Sequence, residues 1–211
     1  MGGLTEYYIP TGPGEAEHVE KRSRFLGHVR PVESEEEARA FIAEVKKEHY
    51  DARHNCWCYI IRGGAERYSD DGEPQGTAGI PMLEVLRREG VTNAVCVVTR
   101  YFGGVLLGAG GLLRAYTKSA KDALDAAGIS VVRRWVEAEL PCSYSAAERL
   151  KTQVAAAGGV VTDTRYGASV TIRALVPEEL AGDFCARITD ATNGTVSAKL
   201  TGEALRAVPR T

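Results

Sequence analysis

Apolar and polar residues follow one another along the chain in patterns that predict strands and helices. Short apolar runs predict four strands in the first 133 residues, at 23–32, 56–61, 95–98 and 129–132. Helical spacing predicts three helices, starting at Ser34, starting at Pro81, and ending near residue 127. The first helix opens with a capping box, in which Glu37 follows Ser34 by three residues. We expect the opening up to residue 14 and the polar stretch 63–79 to be loops.

The rest of the chain repeats a strand–helix–strand order twice. The predicted strands lie at 136–140, 160–166, 169–176 and 195–200, with helices after residues 145 and 177. This βαββαβ order is that of the ferredoxin-like fold. The patterns therefore predict an α+β protein of two domains, residues 1–133 with mixed β and α elements and residues 134–211 with a ferredoxin-like fold.

Composition places the chain among ordinary globular proteins. It has 211 residues, of which 44% are hydrophobic and 26% charged, and its net charge is -2. A general nucleic-acid coat protein is usually strongly basic, and this chain is not. Any nucleic-acid contact must therefore use a local patch. The N-terminus lacks a signal-peptide pattern, and no apolar run approaches the roughly 18 residues of a membrane span. We expect a soluble cytoplasmic protein with no membrane partner.

The cysteines indicate neither a disulfide framework nor a zinc site. There are five of them, an odd number, and no two pairs stand at zinc-ligand spacing. We interpret them as reduced thiols in the core of a cytosolic protein. No cofactor is expected.

The strongest signal for chemistry is a Gly-rich segment directly ahead of the long helix. Glycines there let backbone amides face a ligand, and a helix N-terminus favours anions. Three cations follow on one helix face, where they oppose the dipole. The predicted nucleic-acid or anion-binding residues are Arg100, Tyr101, Gly103, Gly104, Gly108, Gly110, Gly111, Arg114, Lys118 and Lys121. The alternative is that the glycines allow close packing and the cations are only solvated. The spacing matches neither a Walker A loop nor a Rossmann fingerprint.

Two weaker patterns lie upstream of this segment. The carboxylates of residues 69–79 can hold a hard cation, or they can form ordinary turns at the rim of a cleft. His54 and Cys56 can form a nucleophilic pair, or His54 can be a hydrogen-bonded residue near that loop. We expect no catalytic residue and no metal, and a cleft rim made by His54, Asp71 and Glu73.

Four short motifs in this order resemble those of one known family. The sequence RYFGGVLLG at 100–108 closely matches the Arg-aromatic-aromatic-Gly-Gly signature of the IMPACT family, also called YigZ-like. The other three resemblances are KRSRF at 21–25, HNC at 54–56, and DGEP at 71–74 with GTAG at 76–79. They cover residues 21 to about 127, and the ferredoxin-like tail is similar to the two-domain bacterial form.

The resemblance implies a fold and a class of function. For residues 1–133 it implies the β-α arrangement of elongation factor G domain IV and the GHMP kinases. For residues 134–211 it implies a domain like elongation factor G domain V. Eukaryotic members restrain the amino-acid starvation response by competing for the activator of a translation-factor kinase. We therefore expect a translation-associated regulatory binding protein that contacts RNA or the ribosome, without a DNA-specific signal.

Two other functions stay open at this point. One is a protein-interaction module of a stress or translation pathway. The other is an enzyme or binder of a phosphorylated ligand at the helix N-terminus. A binding protein is favoured over an enzyme, because no base, nucleophile and metal set is recognisable in one place.

Overall fold

A computed structural model describes residues 6–210 of the chain. These residues form two compact units. One consists of Glu6–Val132 together with residues 207–210, and the other of Arg133–Arg206. Both combine a β-sheet with helices, so the predicted α+β class is confirmed.

The N-terminal unit contains nine complete elements and the start of a tenth. They are β1 (Tyr7–Pro10), β2 (Gly14–Glu20), β3 (Ser23–Pro31), α1 (Glu35–Glu48), β4 (His54–Ile60), β5 (Glu66–Ser69), α2 (Gly79–Arg88), β6 (Ala94–Tyr101), α3 (Gly108–Ala127) and the first residues of β7 (Ile129–Cys142). Strands β2 to β6 form a sheet in the order β2-β3-β6-β4-β5. The strand at the centre is therefore β6. The prediction that residues up to 14 form a loop is wrong, because β1 and the start of β2 lie there.

The sheet is covered on both faces. One face packs on α2 and α3 in a core that includes Phe25, Cys56 and Met82. The opposite face packs on α1 through residues such as Phe41 and Val97. Ser34 caps α1 as predicted, because Glu37 N–H donates to the Ser34 hydroxyl at 3.2 Å. The Glu37 carboxylate accepts from Glu33 N–H at 2.8 Å, one residue before the N–H that a capping box uses.

Two glycines let α3 lie very close to the sheet. A Cβ added to Gly14 would stand 2.2 Å from the backbone nitrogen of Ala127, and one on Gly27 would stand 2.5 Å from the carbonyl oxygen of Ser119. No side chain fits at either position. This close contact places the buried Tyr116 ring edge-on against Phe25, with ring centres 5.2 Å apart.

The C-terminal unit has the ferredoxin-like strand order. Beyond the rest of β7, its elements are α4 (Tyr144–Ala156), β8 (Val160–Tyr166), β9 (Val170–Pro177), a 3-10 turn (Glu178–Leu180), α5 (Ala181–Ala191) and β10 (Lys199–Pro209). The strands follow the order β10-β7-β9-β8. Residues 129–132 and 136–140 belong to one continuous strand, not to two. The last strand starts four residues later than predicted and runs to residue 209.

No helix within residues 6–210 is long and apolar enough to cross a membrane.

Candidate nucleic-acid interface

One row of side chains across the sheet places the polar residues of the site. His54 on β4 and Phe25 on β3 lie directly opposite Arg100 on the central strand β6. Residues paired in this way point to the same face of a sheet. That face is the one covered by α2 and α3, and the row lies beside the end of β6, where the Gly-rich segment begins.

Glu73 is the centre of a buried polar cluster with Arg100, Tyr116 and His54. Its Oε1 accepts from Arg100 Nη1 at 2.7 Å and from the Tyr116 hydroxyl at 2.8 Å. Its Oε2 lies 3.9 Å from His54 Nε2. The Arg100 and Glu73 side chains are 7% and 3% exposed, so each charge depends on the other for compensation. Through these contacts the Glu73 cluster holds the loop before α2 against β6 and α3.

Arg100 therefore has a different place from the one predicted. The sequence suggested a surface cation that contacts anions. In the structure its charge is neutralised by Glu73, and its guanidinium carbon lies 5.5 Å from the ring centre of Phe25 and 5.6 Å from that of Phe102. The physical reason is its register on the central strand, where the side chain points under the helices. Arg100 supports the interface from below and does not form its surface.

His54 and Cys56 do not form a nucleophilic pair. The His54 Nδ1 lies 2.8 Å from the Asp71 carbonyl oxygen, which only accepts, so Nδ1 carries a proton. The Cys56 thiol is fully buried and donates to the Asp70 carbonyl oxygen at 3.0 Å. Burial raises the pKa of the Cys56 thiol far above its ordinary value, which leaves no thiolate to attack a substrate.

The carboxylates of the loop before α2 are occupied by the protein itself. The Asp71 carboxylate accepts from Lys46 Nζ at 2.6 Å and from Asn55 N–H at 2.7 Å. The Asp70 carboxylate accepts from three backbone N–H groups of its own loop, those of Gly76, Ala78 and Gly79. Of the two interpretations of this loop, the geometry supports ordinary turn chemistry. Across residues 6–210 no group of three or more His, Cys, Asp and Glu side chains is arranged to hold a metal ion.

The glycines of the Gly-rich segment stand at their positions for different physical reasons. Gly103 allows a close backbone approach, because a Cβ there would stand 2.1 Å from the carbonyl carbon of Arg22. Gly104 and Gly108 have φ angles of 82° and 71°, which favour glycine. Gly110 meets neither constraint and lies exposed in the first turn of α3. The helix α3 has Leu107 at its N-cap, without a side-chain cap on its first N–H groups.

The three predicted cations of α3 share a face but differ in their charge balance. With Leu113, Thr117 and Asp122 they line a shallow depression of about 330 Å³. Lys118 pairs with Asp122 at 2.9 Å, and Lys121 pairs with Asp125 and with Glu89. Arg114 is exposed and has no ion pair with any residue that the structure describes. Only Arg114 of the three offers an uncompensated charge.

Tyr101 and Phe102, the two aromatic residues before the glycines, have opposite environments. The Tyr101 hydroxyl is held 3.0 Å from His49 Nδ1 and donates to Asp51 at 3.0 Å. The Phe102 side chain is 41% exposed, and the guanidinium carbon of Arg53 lies 6.0 Å from its ring centre. Phe102 is therefore the one of the two whose ring can meet a partner.

Three further cations around this segment were not predicted as site residues. Lys21 and Arg22 form the exposed turn between β2 and β3, and Arg53 is exposed just before β4. The Arg22 backbone touches Gly103, which places this turn beside Phe102. Within the described part of the chain none of the three forms an ion pair. We call Lys21, Arg22, Arg53 and Arg114 the basic rim.

Comparison with known proteins matches both parts of the chain. Residues 21–124 match the Impact N-terminal domain family, and residues 140–195 match a domain of unknown function, DUF1949. The chain is 37% identical over 193 residues to IMPACT family member YvyE of Bacillus subtilis, covering 90% of this chain and 89% of that protein. It is 33% identical over 197 residues to IMPACT family member YigZ of Escherichia coli, covering 92% and 97%.

A eukaryotic relative matches less than half of the chain, and a solved structure matches nearly all of it. Protein IMPACT of Mus musculus is 33% identical over 97 residues, which cover 43% of this chain and 30% of the mouse protein. A crystal structure described as that of a hypothetical protein aligns with a TM-score of 0.59 and 32% identity, covering 94% of this chain and 98% of that one.

Proposed function

The chain belongs to the IMPACT family, and we propose that it is a translation-associated regulatory protein that binds RNA, free or on the ribosome, through the basic rim. The proposal is of a binding protein and not of a conventional enzyme. The unit that carries the rim contains the residues that match the Impact N-terminal domain family, 21–124. The link to translation comes from the family resemblance, and the RNA contact comes from the charges.

The observation that carries the proposal is the charge balance of the rim. The chain as a whole has a net charge of -2, and some exposed cations, such as Arg24, Arg87 and Lys118, have an acidic partner. The four rim cations have none, although they stand around an exposed aromatic ring and an uncapped helix N-terminus. Cations without an ion pair at these positions favour an external anion. A chain of phosphates with bases that can stack on Phe102 fits this surface.

The exposed ring also favours unpaired nucleotides over a duplex. Bases in single strands and loops stack on aromatic side chains, whereas the bases of an A-form helix are already stacked on each other. The Glu73 cluster supports this arrangement by fixing Arg100 under the Phe102 ring. We therefore propose single-stranded or looped RNA as the ligand.

A second candidate function is docking of a protein on the same surface. Val105, Leu106 and Leu113 are 41%, 83% and 46% exposed near the start of α3. Exposed apolar side chains in one place often mark an interaction site. This alternative predicts binding that survives high salt, because apolar contacts release no counterions.

Co-sedimentation with ribosomes at low and moderate salt tests the proposal. We expect wild-type protein to pellet with ribosomes at low salt and to be released as salt rises. The Arg22→Ala/Arg53→Ala variant should lose pelleting. The matched control Lys118→Ala/Lys121→Ala removes the same charge from ion-paired positions and should pellet like wild type. If wild-type protein does not pellet at low salt, ribosome binding is excluded. Pelleting that resists salt and nuclease would favour the protein-docking function.

A further inference from the structure

A cavity of about 440 Å³ lies on the sheet of the C-terminal unit, which contributes no residue to the interface proposed above. Strands β7, β8, β9 and β10 all form its wall, and its volume is within the range of about 300–1,000 Å³ that is usual for small-molecule sites. The charged side chains that line it are Glu137, Glu139, Asp163, Arg173 and Arg206. The cavity therefore has the size and the polar groups of a ligand site.

The cavity lies on the face of this sheet that the helices do not cover. Ala138 and Ala174 lie directly opposite each other on β7 and β9, and their side chains pack in the core with α4 and α5. Side chains alternate between the two faces of a strand, so Glu137, Glu139 and Arg173 point to the other face. Their side chains are partly exposed, so a ligand can reach them from solvent.

Each glutamate of this cavity has a carboxylate oxygen that no other described residue uses. Glu139 Oε1 accepts from both Nε and Nη2 of Arg173, at 2.9 and 2.7 Å. Glu137 Oε1 accepts from Arg206 Nη2. The Oε2 atoms of both glutamates have no hydrogen bond within residues 6–210. Because the two glutamates are about 6.6 Å apart along the same face of β7, both Oε2 atoms can accept from one ammonium group.

The two arginines of the cavity have unused donors in the same way. A guanidinium group carries five N–H bonds. Arg173 Nη1 and the Nε and Nη1 atoms of Arg206 donate to no residue that the structure describes. Guanidinium groups bind carboxylates strongly through paired N–H donors. The cavity therefore has unused acceptors for a cation beside unused donors for an anion.

These charges favour a ligand that carries both signs. A simple anion would be repelled by the glutamates and a simple cation by the arginines, whereas a zwitterion can place each of its charges on the opposite one. Asp163 is already paired with Arg165, at 3.0 Å. Leu175 lies opposite Glu137 in the same row of the sheet and gives the cavity an apolar wall.

We propose that this cavity binds a neutral α-amino acid. The ammonium group of the ligand donates to Glu137 and Glu139, and its carboxylate accepts from Arg173 and Arg206. An apolar side chain packs on Leu175, because the charged groups of the cavity are then all engaged. The site uses no residue of the basic rim, so it does not depend on RNA binding.

Isothermal titration of the full chain with L-leucine tests the proposal. We expect one saturable site per chain. N-acetyl-L-leucine lacks the ammonium charge and L-leucinamide lacks the carboxylate, so each should bind at least about tenfold more weakly. L-lysine and L-glutamate, whose side chains are charged, should also bind more weakly. The absence of saturable L-leucine binding, or equal binding of N-acetyl-L-leucine, would overturn the proposal.

Substitutions in the two ion pairs test the residues of the site. Glu137→Gln and Arg173→Gln affect different pairs, and each should weaken L-leucine binding at least about tenfold. Glu148→Gln breaks the exposed pair with Lys151 in the same unit and is the matched control, which should bind like wild type. Circular dichroism checks that each variant is folded. Folded Glu137→Gln and Arg173→Gln proteins that bind like wild type would contradict the proposed site.

A further measurement requires no variant to fold. In ¹H–¹⁵N spectra of wild-type protein, L-leucine should shift the backbone amide signals of residues 137–139 and 173–175, which line the cavity. The signals of the N-terminal unit should stay unchanged. Shifts confined to the N-terminal unit would place the ligand elsewhere and overturn the proposal.

Discussion

Arg100 and Glu73 form a buried ion pair, with Arg100 Nη1 2.7 Å from Glu73 Oε1, between the central strand of the sheet and the loop before α2. The Tyr116 hydroxyl on α3 donates to the same carboxylate oxygen. Three separate elements therefore meet at one carboxylate. The Gly-rich segment follows β6 directly, so this ion pair lies at the base of the proposed interface.

Removing the Glu73 charge should destabilise the protein strongly. Glu73→Gln keeps the size of the side chain but leaves the Arg100 charge buried without compensation. We expect the free energy of unfolding to fall by about 3–5 kcal/mol, measured by urea denaturation. Glu17→Gln, which breaks the exposed pair with Arg24, is the control and should change stability far less. Equal effects of the two substitutions would show that the Glu73 cluster is not a structural anchor.

Two glycines of the interface should respond to alanine in opposite ways. In Gly103→Ala the new Cβ collides with the Arg22 backbone, so we expect a loss of about 1–3 kcal/mol in unfolding free energy. Gly110→Ala meets no backbone atom and improves helix propensity, so we expect a gain of up to about 1 kcal/mol. Thermal denaturation distinguishes the two. A loss of stability in Gly110→Ala would mean that packing, and not ligand access, explains this glycine.

Phe102 should contribute to RNA affinity through stacking. Phe102→Ala should weaken binding of a single-stranded RNA oligomer by about 1–3 kcal/mol, or roughly 5- to 150-fold, in a fluorescence anisotropy titration. Phe102→Tyr should retain most of the affinity. Tyr50 is 84% exposed and lies outside the Gly-rich segment, so Tyr50→Ala is the control and should bind like wild type. Unchanged affinity in Phe102→Ala would exclude a stacked base at this position.

His28 should make the stability of the protein depend on pH. Burial lowers its pKa below the ordinary 6.5, an effect that Glu15 opposes and His49 increases. Because the unfolded chain binds the proton more readily, the stabilising contribution is present above about pH 6.5 and is lost as the pH falls below it. Urea denaturation at pH 7.5 and 5.5 should show a smaller loss of unfolding free energy for His28→Gln than for wild type. An equal loss in both proteins would show that His28 does not titrate in this way.

The sequence predicted the elements whose burial is regular. The apolar runs of β3, β4 and β6 and the capped, amphipathic α1 all form where the pattern places them. The long helix α3 was predicted for the same reason. The strand β2, with the sequence GEAEHVE, was missed because it is an edge strand with charged residues on its exposed face. The strand β10 was misplaced because nearly all of its side chains are exposed.

The candidate site was harder to predict because charge balance depends on tertiary contacts. Arg100 and Arg114 are equally basic in the sequence, yet one is neutralised by a glutamate 27 residues away and the other has no ion pair among the described residues. Lys118 and Lys121 pair with acids four residues later, a spacing that is typical of ion pairs on a helix but was not interpreted in this way. The place of Arg22 beside Phe102 follows from a hairpin turn meeting a glycine 81 residues later, which no local pattern reveals.

The salt dependence of RNA binding tests the central claim most directly. Anisotropy titrations of a single-stranded RNA oligomer over a range of salt concentrations would compare wild type, Lys21→Gln/Arg22→Gln/Arg53→Gln, and the ion-paired control Lys118→Gln/Lys121→Gln/Lys151→Gln. Each phosphate contact contributes about −0.7 to the slope of log K against log salt, so the rim variant should lose about 2 from that slope while the control keeps it. Equal slopes for rim variant and wild type, or no salt-sensitive binding by wild type, would contradict RNA contact through the basic rim.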